Sequence, residues 1–352
     1  MKTLVTSSGL MALFTSAALA GGIDRSGQWI TPIFEPGDTV TFSVGSVDPE
    51  VTGSLGTNDA TTRYNPMSFS VKKAITEQVD VAVIVDQPFG ANIKYTSGPF
   101  AATPIGPFAG GYADVSSKAL TFVGRYKFDN NFSLHAGARA QSLSGTIAST
   151  PGILIGSSDY AWGALVGAAY ERPDIALRVA LTYNTSIKNT LDGSQNFAIP
   201  VTASHETPES LNLEFQSGIA KNTLLFGSVR HVKWAGSSLD STPVAGGAST
   251  NWVNFRDDST SLTLGVGRKI NDKLSLALTL GYEAAGTRPG NTPLSPTNGY
   301  KSIGLGGSYN ISDTVKLTGG LQYVKPGSQT VGPVTFDNSE AIGFGLKISY
   351  SF

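Results

Sequence analysis

Few side chains of this sequence have types and spacings that could do chemistry. Its three histidines are His135, His205 and His231. Nucleophilic catalysis needs a hydroxyl or thiol beside a base that a third polar group orients, and the residues around His135, Ser133-Leu-His-Ala-Gly-Ala-Arg139, show no such arrangement. Because isolated histidines carry little motif information, we expect all three to be solvated or hydrogen-bonded, and we predict that the protein is not an enzyme.

The sequence also lacks the patterns of metal and cofactor sites. The chain has no cysteine, which excludes disulfides and thiolate metal sites. Asp257-Asp258 is a lone acidic pair without the ligand count that Ca²⁺ requires, and no glycine-rich phosphate loop occurs. The formal net charge is −1, so the chain has no basic surface for nucleic acid. We therefore predict no metal, no cofactor and no nucleic-acid partner.

A further group of charged side chains shares one parity on strand-like segments. Their signs are mixed, so pairing inside a filled lumen is the simplest expectation, although an arginine among them could bind an anionic head group. Arg139 and Arg178 are the candidates for that second role, because both lie in the middle of predicted strands. The whole group is Asp80, Asp86, Arg125, Lys127, Arg139, Glu171, Arg178, Glu214, Arg230, Lys316 and Lys347.

The elements that must position these charges are short strands with alternating polarity. In residues 339–352 the even positions from Ile342 to Phe352 are all apolar, and the odd positions from Ala341 are small or polar. This pattern predicts a strand with lipid on one side and a lumen on the other, although a soluble sheet also has a period of two. Segments of this kind occur at 39–47, 66–73, 79–89, 115–128, 132–145, 159–171, 175–186, 208–220, 223–235, 257–270, 273–284, 299–311, 314–325 and 339–352.

The connections between these segments alternate between short and long. Turns rich in Asn and Asp, such as Asn271-Asp272, suit tight hairpins, and long loops lie between them. This alternation is typical of outer-membrane barrels. Charged residues make up 14% of the chain, below the roughly 25% of a soluble domain. The sequence therefore predicts an all-β fold, a 14-stranded antiparallel transmembrane β-barrel in the outer membrane of a Gram-negative bacterium.

Two parts precede the first segment. Residues 1–20 have a positive start, an apolar stretch and an Ala-Leu-Ala cleavage site, which indicate a cleaved signal peptide. Residues 21–38 show no period, yet they are too apolar for a free tail, so we expect a plug, or hatch, inside the lumen of the barrel 39–352. A disordered leader is the alternative. The hatch residues are Trp29, Ile30, Ile33 and Phe34.

The long loops are unusually apolar. Exposed apolar surface often marks a binding site, whereas packing of loop against loop would cap the barrel, and both interpretations stay open. If the loops bind a ligand, the residues predicted to contact it are Phe100, Ile105, Phe108, Ile153, Leu154, Ile155, Phe197 and Ile199, together with the lumen arginines Arg139 and Arg178.

These features, with several local runs, resemble the FadL/TodX family of outer-membrane transporters for long-chain fatty acids and hydrocarbons. The resemblance covers nearly the whole mature chain. The runs are Thr207-Pro-Glu-Ser210, Gly227-Ser-Val-Arg-His-Val-Lys-Trp234, Phe255-Arg-Asp-Asp258, Asn271-Asp-Lys273 and Leu278-Thr-Leu-Gly-Tyr282.

The resemblance implies a route for a hydrophobic ligand. The ligand would land between the third and fourth long loops, enter an apolar pocket above the hatch, and leave sideways at a kink in the third strand. That kink would comprise Pro88, Phe89 and Gly90, where proline removes a ladder donor. One departure is plain, because the family's hatch is usually longer and carries an Asn-Pro-Ala motif. Here only residues 21–38 precede the first strand, and the nearest Asn-Pro is Asn65-Pro66.

The function implied is passive uptake of hydrophobic molecules, long-chain fatty acids first among them. A porin for small polar solutes is the main alternative, followed by an adhesive or structural barrel and, last, a lipid hydrolase. The predicted partners are a hydrophobic ligand, outer-membrane lipid and the barrel-assembly machinery, which would recognise the C-terminal Phe352. No broad apolar interface stands out beyond the lipid-facing positions, so we predict a monomer.

Overall fold

The computed structural model describes residues 23–102, 110–287 and 292–352. The predicted signal peptide 1–20 and the candidate ligand residues Ile105 and Phe108 lie outside the described residues. Among the residues that are described, no helix is long and apolar enough to cross a membrane.

Strands make up nearly all of the regular structure. The strands of the first half are β1 (Thr39–Thr52), β2 (Met67–Ala74), β3 (Val79–Asp86), β4 (Gly90–Lys94), β5 (Tyr112–Lys127), β6 (Phe132–Ser149), β7 (Gly152–Ser158), β8 (Ala161–Arg172), β9 (Leu177–Asn184), β10 (Ile187–Gln195) and β11 (Ile199–Thr207). Those of the second half are β12 (Ser210–Ala220), β13 (Thr223–Val232), β14 (Ser238–Pro243), β15 (Thr250–Asn254), β16 (Ser259–Lys269), β17 (Leu274–Glu283), β18 (Tyr300–Asn310), β19 (Val315–Pro326), β20 (Gln329–Val331), β21 (Val334–Phe336) and β22 (Asn338–Ser351). Single 3₁₀ turns lie at Thr31–Phe34 and Pro173–Ile175.

Apart from the small β20–β21 hairpin, the described strands form one antiparallel sheet that closes on itself. The closing seam pairs β1 with β22 along their whole length, from Thr39 opposite Ser351 to Thr52 opposite Asn338. Some passes through the barrel wall are single strands, and others, such as β3 with β4, are two strands separated by a break. The predicted all-β, 14-stranded antiparallel barrel is confirmed.

The short connections have the predicted turn chemistry. Asn131 and Asn222 adopt φ angles of 69° and 60°, in the left-handed region that asparagine tolerates better than most residues. The short turns after β2, β5, β8, β12, β16 and β18 lie at one end of the barrel, which we call the short-turn side; the opposite end is the long-loop side. The start of β1, which follows Asp38, and the end of β22, which precedes Phe352, also lie on the short-turn side. There the Phe352 amide donates to the Asp38 carbonyl at 3.1 Å.

The outer surface of the wall is apolar because side chains alternate along each strand. On β17, Leu276, Leu278 and Leu280 are exposed, whereas the intervening Ala277 and Thr279 are buried. Aromatic side chains gather at the short-turn side, as a membrane interface favours. The ring pairs there are Tyr126 with Phe128 at 5.0 Å, Phe132 with Tyr170 at 4.8 Å and Tyr350 with Phe352 at 5.8 Å.

Two of the predicted long loops are mostly strand, which corrects the boundaries drawn from sequence. Segment 146–158 holds the end of β6 and all of β7, and segment 187–207 is the β10–β11 hairpin. The alternation continues through this hairpin, but its outward side chains, such as Lys188 and Glu206, are polar and exposed. The hairpin therefore extends beyond the apolar outer surface of the wall, which we call the apolar belt. It lies outside the membrane-spanning part of the wall.

Inside the barrel, buried charges of opposite sign are paired as expected. Asp80 is 1% exposed, and its carboxylate lies 2.9 Å from the Lys72 ammonium, 3.2 Å from that of Lys127 and 3.9 Å from the Arg125 guanidinium. Arg125 also pairs with Glu171. These groups fill the lumen near the short-turn side.

Candidate functional site

The N-terminal segment, residues 23–38, packs its apolar side chains against the inner wall. Ile30, Ile33 and Phe34 are buried together with Ile84 and Leu165 and with small side chains of neighbouring strands. Apolar burial of this kind is worth roughly 1.5–3 kcal/mol for each large side chain. The segment therefore occupies the lumen, with Trp29 partly exposed to a cavity beside it.

Arginines of the wall hold this segment by hydrogen bonds. Arg139 donates to the Gln28 carbonyl at 3.2 Å, and also to Thr121 and Asn184. Arg230 donates to the Asp24 carboxylate at 2.5 Å. Since charge-assisted hydrogen bonds are stronger than neutral ones, this wall fixes the position of residues 24–28.

Arg178, the second arginine singled out from the sequence, also contacts the segment. Its guanidinium lies 4.8 Å from the ring centroid of Phe34, in a cation–π arrangement. It is 3% exposed. Both arginines therefore lie against the N-terminal segment, and their binding of an anionic ligand stays a prediction.

The wall is interrupted beside the segment. β3 ends at Asp86 and β4 begins at Gly90, so residues 87–89 break the third pass of the barrel. The N-terminal segment pairs with this break, because the Arg25 amide donates to the Pro88 carbonyl at 2.7 Å and the Gly90 amide donates to the Ile23 carbonyl at 2.8 Å. The segment and the break are thus joined by backbone hydrogen bonds.

An apolar cavity of about 90 Å³, which we call the upper cavity, lies on the long-loop side of the segment. Its wall comes from β4 to β7, from the β10–β11 hairpin, from β14 and β15, and from residues 292–295. The lining side chains include Ile23, Val115, Leu143, Ile147, Leu154, Leu191, Ala203, His205, Leu239, Val253, Phe255 and Leu294.

A second cavity of about 150 Å³, the lower cavity, lies between the N-terminal segment and the strands at the closing seam. Ser26 and Trp29 line one side, and the wall lines the other with polar residues and with Val47, Ile84 and Val324. The lining also includes Val44, Met67 and Phe344, which are at least one-third exposed on the outer surface of the barrel. This cavity therefore reaches the outer face of the wall.

The comparisons with known proteins fit this architecture. No protein-family model matches the sequence, and no curated protein matches it. The crystal structure of a FadL homologue of Pseudomonas aeruginosa superposes with a TM-score of 0.78 at 14% identity, covering 98% of each chain. The chain has the FadL/TodX barrel fold. The toluene transporter TodX of Pseudomonas putida gives 0.68 at 14% identity over 96% of this chain and 94% of its own. The toluene transporter TbuX of Ralstonia pickettii gives 0.69 at 11% identity over 97% of both.

Within this FadL-type barrel, the residues predicted to bind a ligand separate into groups. Leu154 lines the upper cavity, and Ile153 is buried beside it in the wall. Phe100 stacks on Phe336 with ring centroids 6.5 Å apart, and both pack in the apolar cluster that contains Leu154. Ile155 is partly buried on β7, whereas Phe197 and Ile199, at the tip of the β10–β11 hairpin, are 56% and 43% exposed and line neither cavity.

His205 is a part of this FadL-type interior that the sequence alone did not reveal. It falls between the predicted segments 175–186 and 208–220, but it lies on β11, is 5% exposed and lines the upper cavity. The signal was present, because Val201, Ala203 and His205 alternate with Thr202, Ser204 and Glu206, and that period of two indicates a strand with one buried face. The polar residues of the other face gave this segment the composition of a loop.

Charging the buried face of the N-terminal segment is expected to open the FadL-type lumen. Ile33→Lys would place an ammonium where the side chain is 0% exposed, close to Arg125, whose guanidinium donates to the Ile33 carbonyl at 3.5 Å. An unpaired buried charge costs several kcal/mol, so the segment should leave its site. We expect a clear increase in single-channel conductance in planar bilayers.

Pro36→Lys is the matched control, because residue 36 belongs to the same segment but is exposed. It should leave the conductance unchanged. An Ile33→Lys barrel that is folded and conducts no more than the parent would show that the segment does not close the lumen.

Proposed function

We propose that this protein is an outer-membrane channel for the passive uptake of small hydrophobic molecules. The observation that carries the proposal is the pair of cavities, one apolar and below the long loops, the other reaching the outer face of the wall, with the N-terminal segment between them. Transfer of apolar surface from water into such a cavity is favourable by about 25 cal/mol per Å². The channel would need no energy source, because the ligand moves downhill into the membrane.

The size of the upper cavity favours a compact ligand. A cavity of about 90 Å³ is several times the roughly 10–15 Å³ that a single water needs, which is the scale of a small molecule rather than of a long acyl chain. The structurally similar TodX and TbuX are toluene transporters, and this supports a single-ring ligand here. A long-chain fatty acid, the ligand first expected, would have to extend past the N-terminal segment into the lower cavity.

Lateral release through the wall is part of the proposal. The last register pair between β2 and β3 is Phe69 with Val85, and beyond it the two strands separate at the break after Asp86. Past this point the Met67 amide donates to the side-chain carbonyl oxygen of Gln87 at 3.4 Å. A ligand leaving the lower cavity here would enter lipid directly, without crossing the polar head-group layer.

A cross-link across this separation is expected to stop uptake. The chain has no cysteine, so the double variant Met67→Cys with Gln87→Cys offers one disulfide between β2 and the break. Oxidation should reduce uptake of labelled toluene by about tenfold or more, since a closed exit blocks the whole route, and reduction should restore it. The measurement is uptake by cells before and after treatment with dithiothreitol.

Phe69→Cys with Val85→Cys is the control pair, because it joins the same strands where they are already paired. Its oxidation should leave uptake unaffected. If the Met67–Gln87 cross-link forms and uptake continues at the parental rate, release does not occur at this point.

The proposed function is tested by uptake into Gram-negative cells that lack their own hydrophobic-compound importer. Cells that express the protein should accumulate labelled toluene, and the same cells measured with labelled oleate would define the upper size limit of the ligand. Large single-channel conductance together with no uptake of either compound would instead support a porin for polar solutes. Heat-modifiable gel mobility would verify that the barrel is folded in every case.

Assembly partners are part of the proposal as well. Phe352 is 62% exposed at the end of β22, where the barrel-assembly machinery could contact it. We also propose a cleaved signal peptide at 1–20, a hatch at 21–38 and a monomeric barrel.

A further inference from the structure

The upper cavity contains one titratable side chain among the described residues that line it, and that side chain is His205. It extends inward from β11, next to Ala203 and opposite Leu239 of β14 in the strand register. Its ring lies 6.3 Å from that of Phe255. A histidine that is 5% exposed among aliphatic and aromatic side chains is unusual, because burial of a polar group is costly without a partner.

The bonding of one ring nitrogen fixes the position of the ring proton. Nδ1 of His205 lies 2.9 Å from the backbone carbonyl oxygen of Ser238. A carbonyl oxygen only accepts hydrogen bonds, so Nδ1 must be the donor and must carry a proton. The neutral ring then has its lone pair on Nε2, which makes Nε2 an acceptor.

The surroundings favour this neutral form. Burial lowers the pKa of His205, and the backbone hydrogen bond to Ser238 and the charge of Glu206 oppose that shift only partly. The β10–β11 hairpin lies beyond the apolar belt, and the outward Glu206 is the nearest acidic neighbour along the strand. The ring is therefore uncharged at pH 7.

The second nitrogen, Nε2, is buried and has no hydrogen-bond partner within the described parts of the chain. Three hydroxyl side chains line the cavity, those of Ser144, Thr292 and Ser295, and none of them bonds to Nε2. Nε2 is thus an acceptor without a donor, on a ring that lines an apolar cavity.

We propose that His205 makes the channel selective for hydrophobic molecules that carry a single hydrogen-bond donor, such as a one-ring phenol, over hydrocarbons of the same shape. This inference rests on the proposed function. A phenol would bury its ring against Leu154, Leu191 and Phe255 and donate its hydroxyl proton to Nε2. Toluene would fill the same space and leave Nε2 unpaired, and an ionised carboxylate would offer no proton to it.

The test compares p-cresol with toluene, which differ by one hydroxyl group. Binding to the purified full-length barrel in detergent is measured by isothermal titration calorimetry. A net gain of one hydrogen bond in an apolar site corresponds to roughly a three- to tenfold difference in affinity. We expect the parent protein to prefer p-cresol by that factor over toluene, after correction for the partition of each compound into detergent.

The decisive variant is His205→Asn, whose side-chain amide can still donate to the Ser238 carbonyl but presents nothing at the position of Nε2. It should lose the preference for p-cresol, so that the ratio of the two affinities falls to about one. His205→Phe, which keeps a flat ring without nitrogen atoms, should give the same equality and serves as a second variant if His205→Asn does not fold. His231→Asn is the control, because that ring lies outside the cavity lining and bonds to Thr260 at 2.8 Å.

The outcomes separate this inference from the proposed function. Equal affinities in the parent protein, or a preference for p-cresol that survives in both His205 variants, would overturn the role of His205 and leave the channel proposal standing. If neither compound binds the folded parent barrel, the proposed function is overturned and this inference with it.

Discussion

Replacing Ala203 by phenylalanine is expected to reduce uptake of toluene by about tenfold or more. Ala203 is 1% exposed and lines the upper cavity, so the added ring would occupy the space that we assign to the ligand. A ligand that had to displace this ring would meet an overpacked site at a cost of about 1–3 kcal/mol, and each 1.4 kcal/mol is a factor of about ten. The measurement is initial uptake of labelled toluene by cells.

Thr202→Phe is the matched control for this prediction. Thr202 is the neighbouring residue of β11, and its side chain is exposed on the outer face, so the same added ring should leave uptake near the parental rate. Parental uptake by a folded Ala203→Phe barrel would mean that the ligand does not pass through the upper cavity.

Removing the charge of Asp80 is expected to destabilise the barrel strongly. Asp80→Asn leaves the ammonium of Lys72, whose side chain is 3% exposed, without its anion at 2.9 Å. It also removes the anion that lies 3.9 Å from Arg125 and 3.2 Å from Lys127. Breaking a buried ion pair by removing one partner typically costs about 3–5 kcal/mol. We expect a lower urea midpoint for unfolding in lipid vesicles and a lower temperature for loss of the fast-migrating folded form on gels.

The control is Asp174→Asn, which removes the anion from an exposed pair with Arg172 at the short-turn side. Exposed pairs contribute little to stability, so the unfolding midpoint should not move measurably. A parental midpoint for Asp80→Asn would show that the lumen is wet enough to solvate the three cations, and the filled-lumen description would then be wrong.

The sequence predicted the membrane-spanning wall well because lipid imposes a strict alternation on it. Segments 66–73 and 223–235, for example, correspond to β2 and β13 within a few residues. In each case one face must be apolar along the whole pass, and that requirement is visible in a single sequence.

The candidate site was less predictable because its geometry depends on which strands meet across the lumen. Leu154 was among the ligand residues expected from sequence, but Ala203 and Leu239 line the same cavity and look unremarkable in the chain. Phe197 and Ile199 are as apolar as Leu154, yet they lie at an exposed hairpin tip. Local composition shows that a loop is apolar. Which of its residues line the same cavity depends on the pairing of β7, β10, β11 and β14.

The closing seam has a consequence for the way the protein is made. β1 and β22 come from opposite ends of the chain, and contacts between such distant segments form late and slowly. The N-terminal segment is enclosed by the wall and leads directly into β1, one of the two strands of this seam. The pairing that closes the wall is therefore also the one that fixes where the segment enters the lumen.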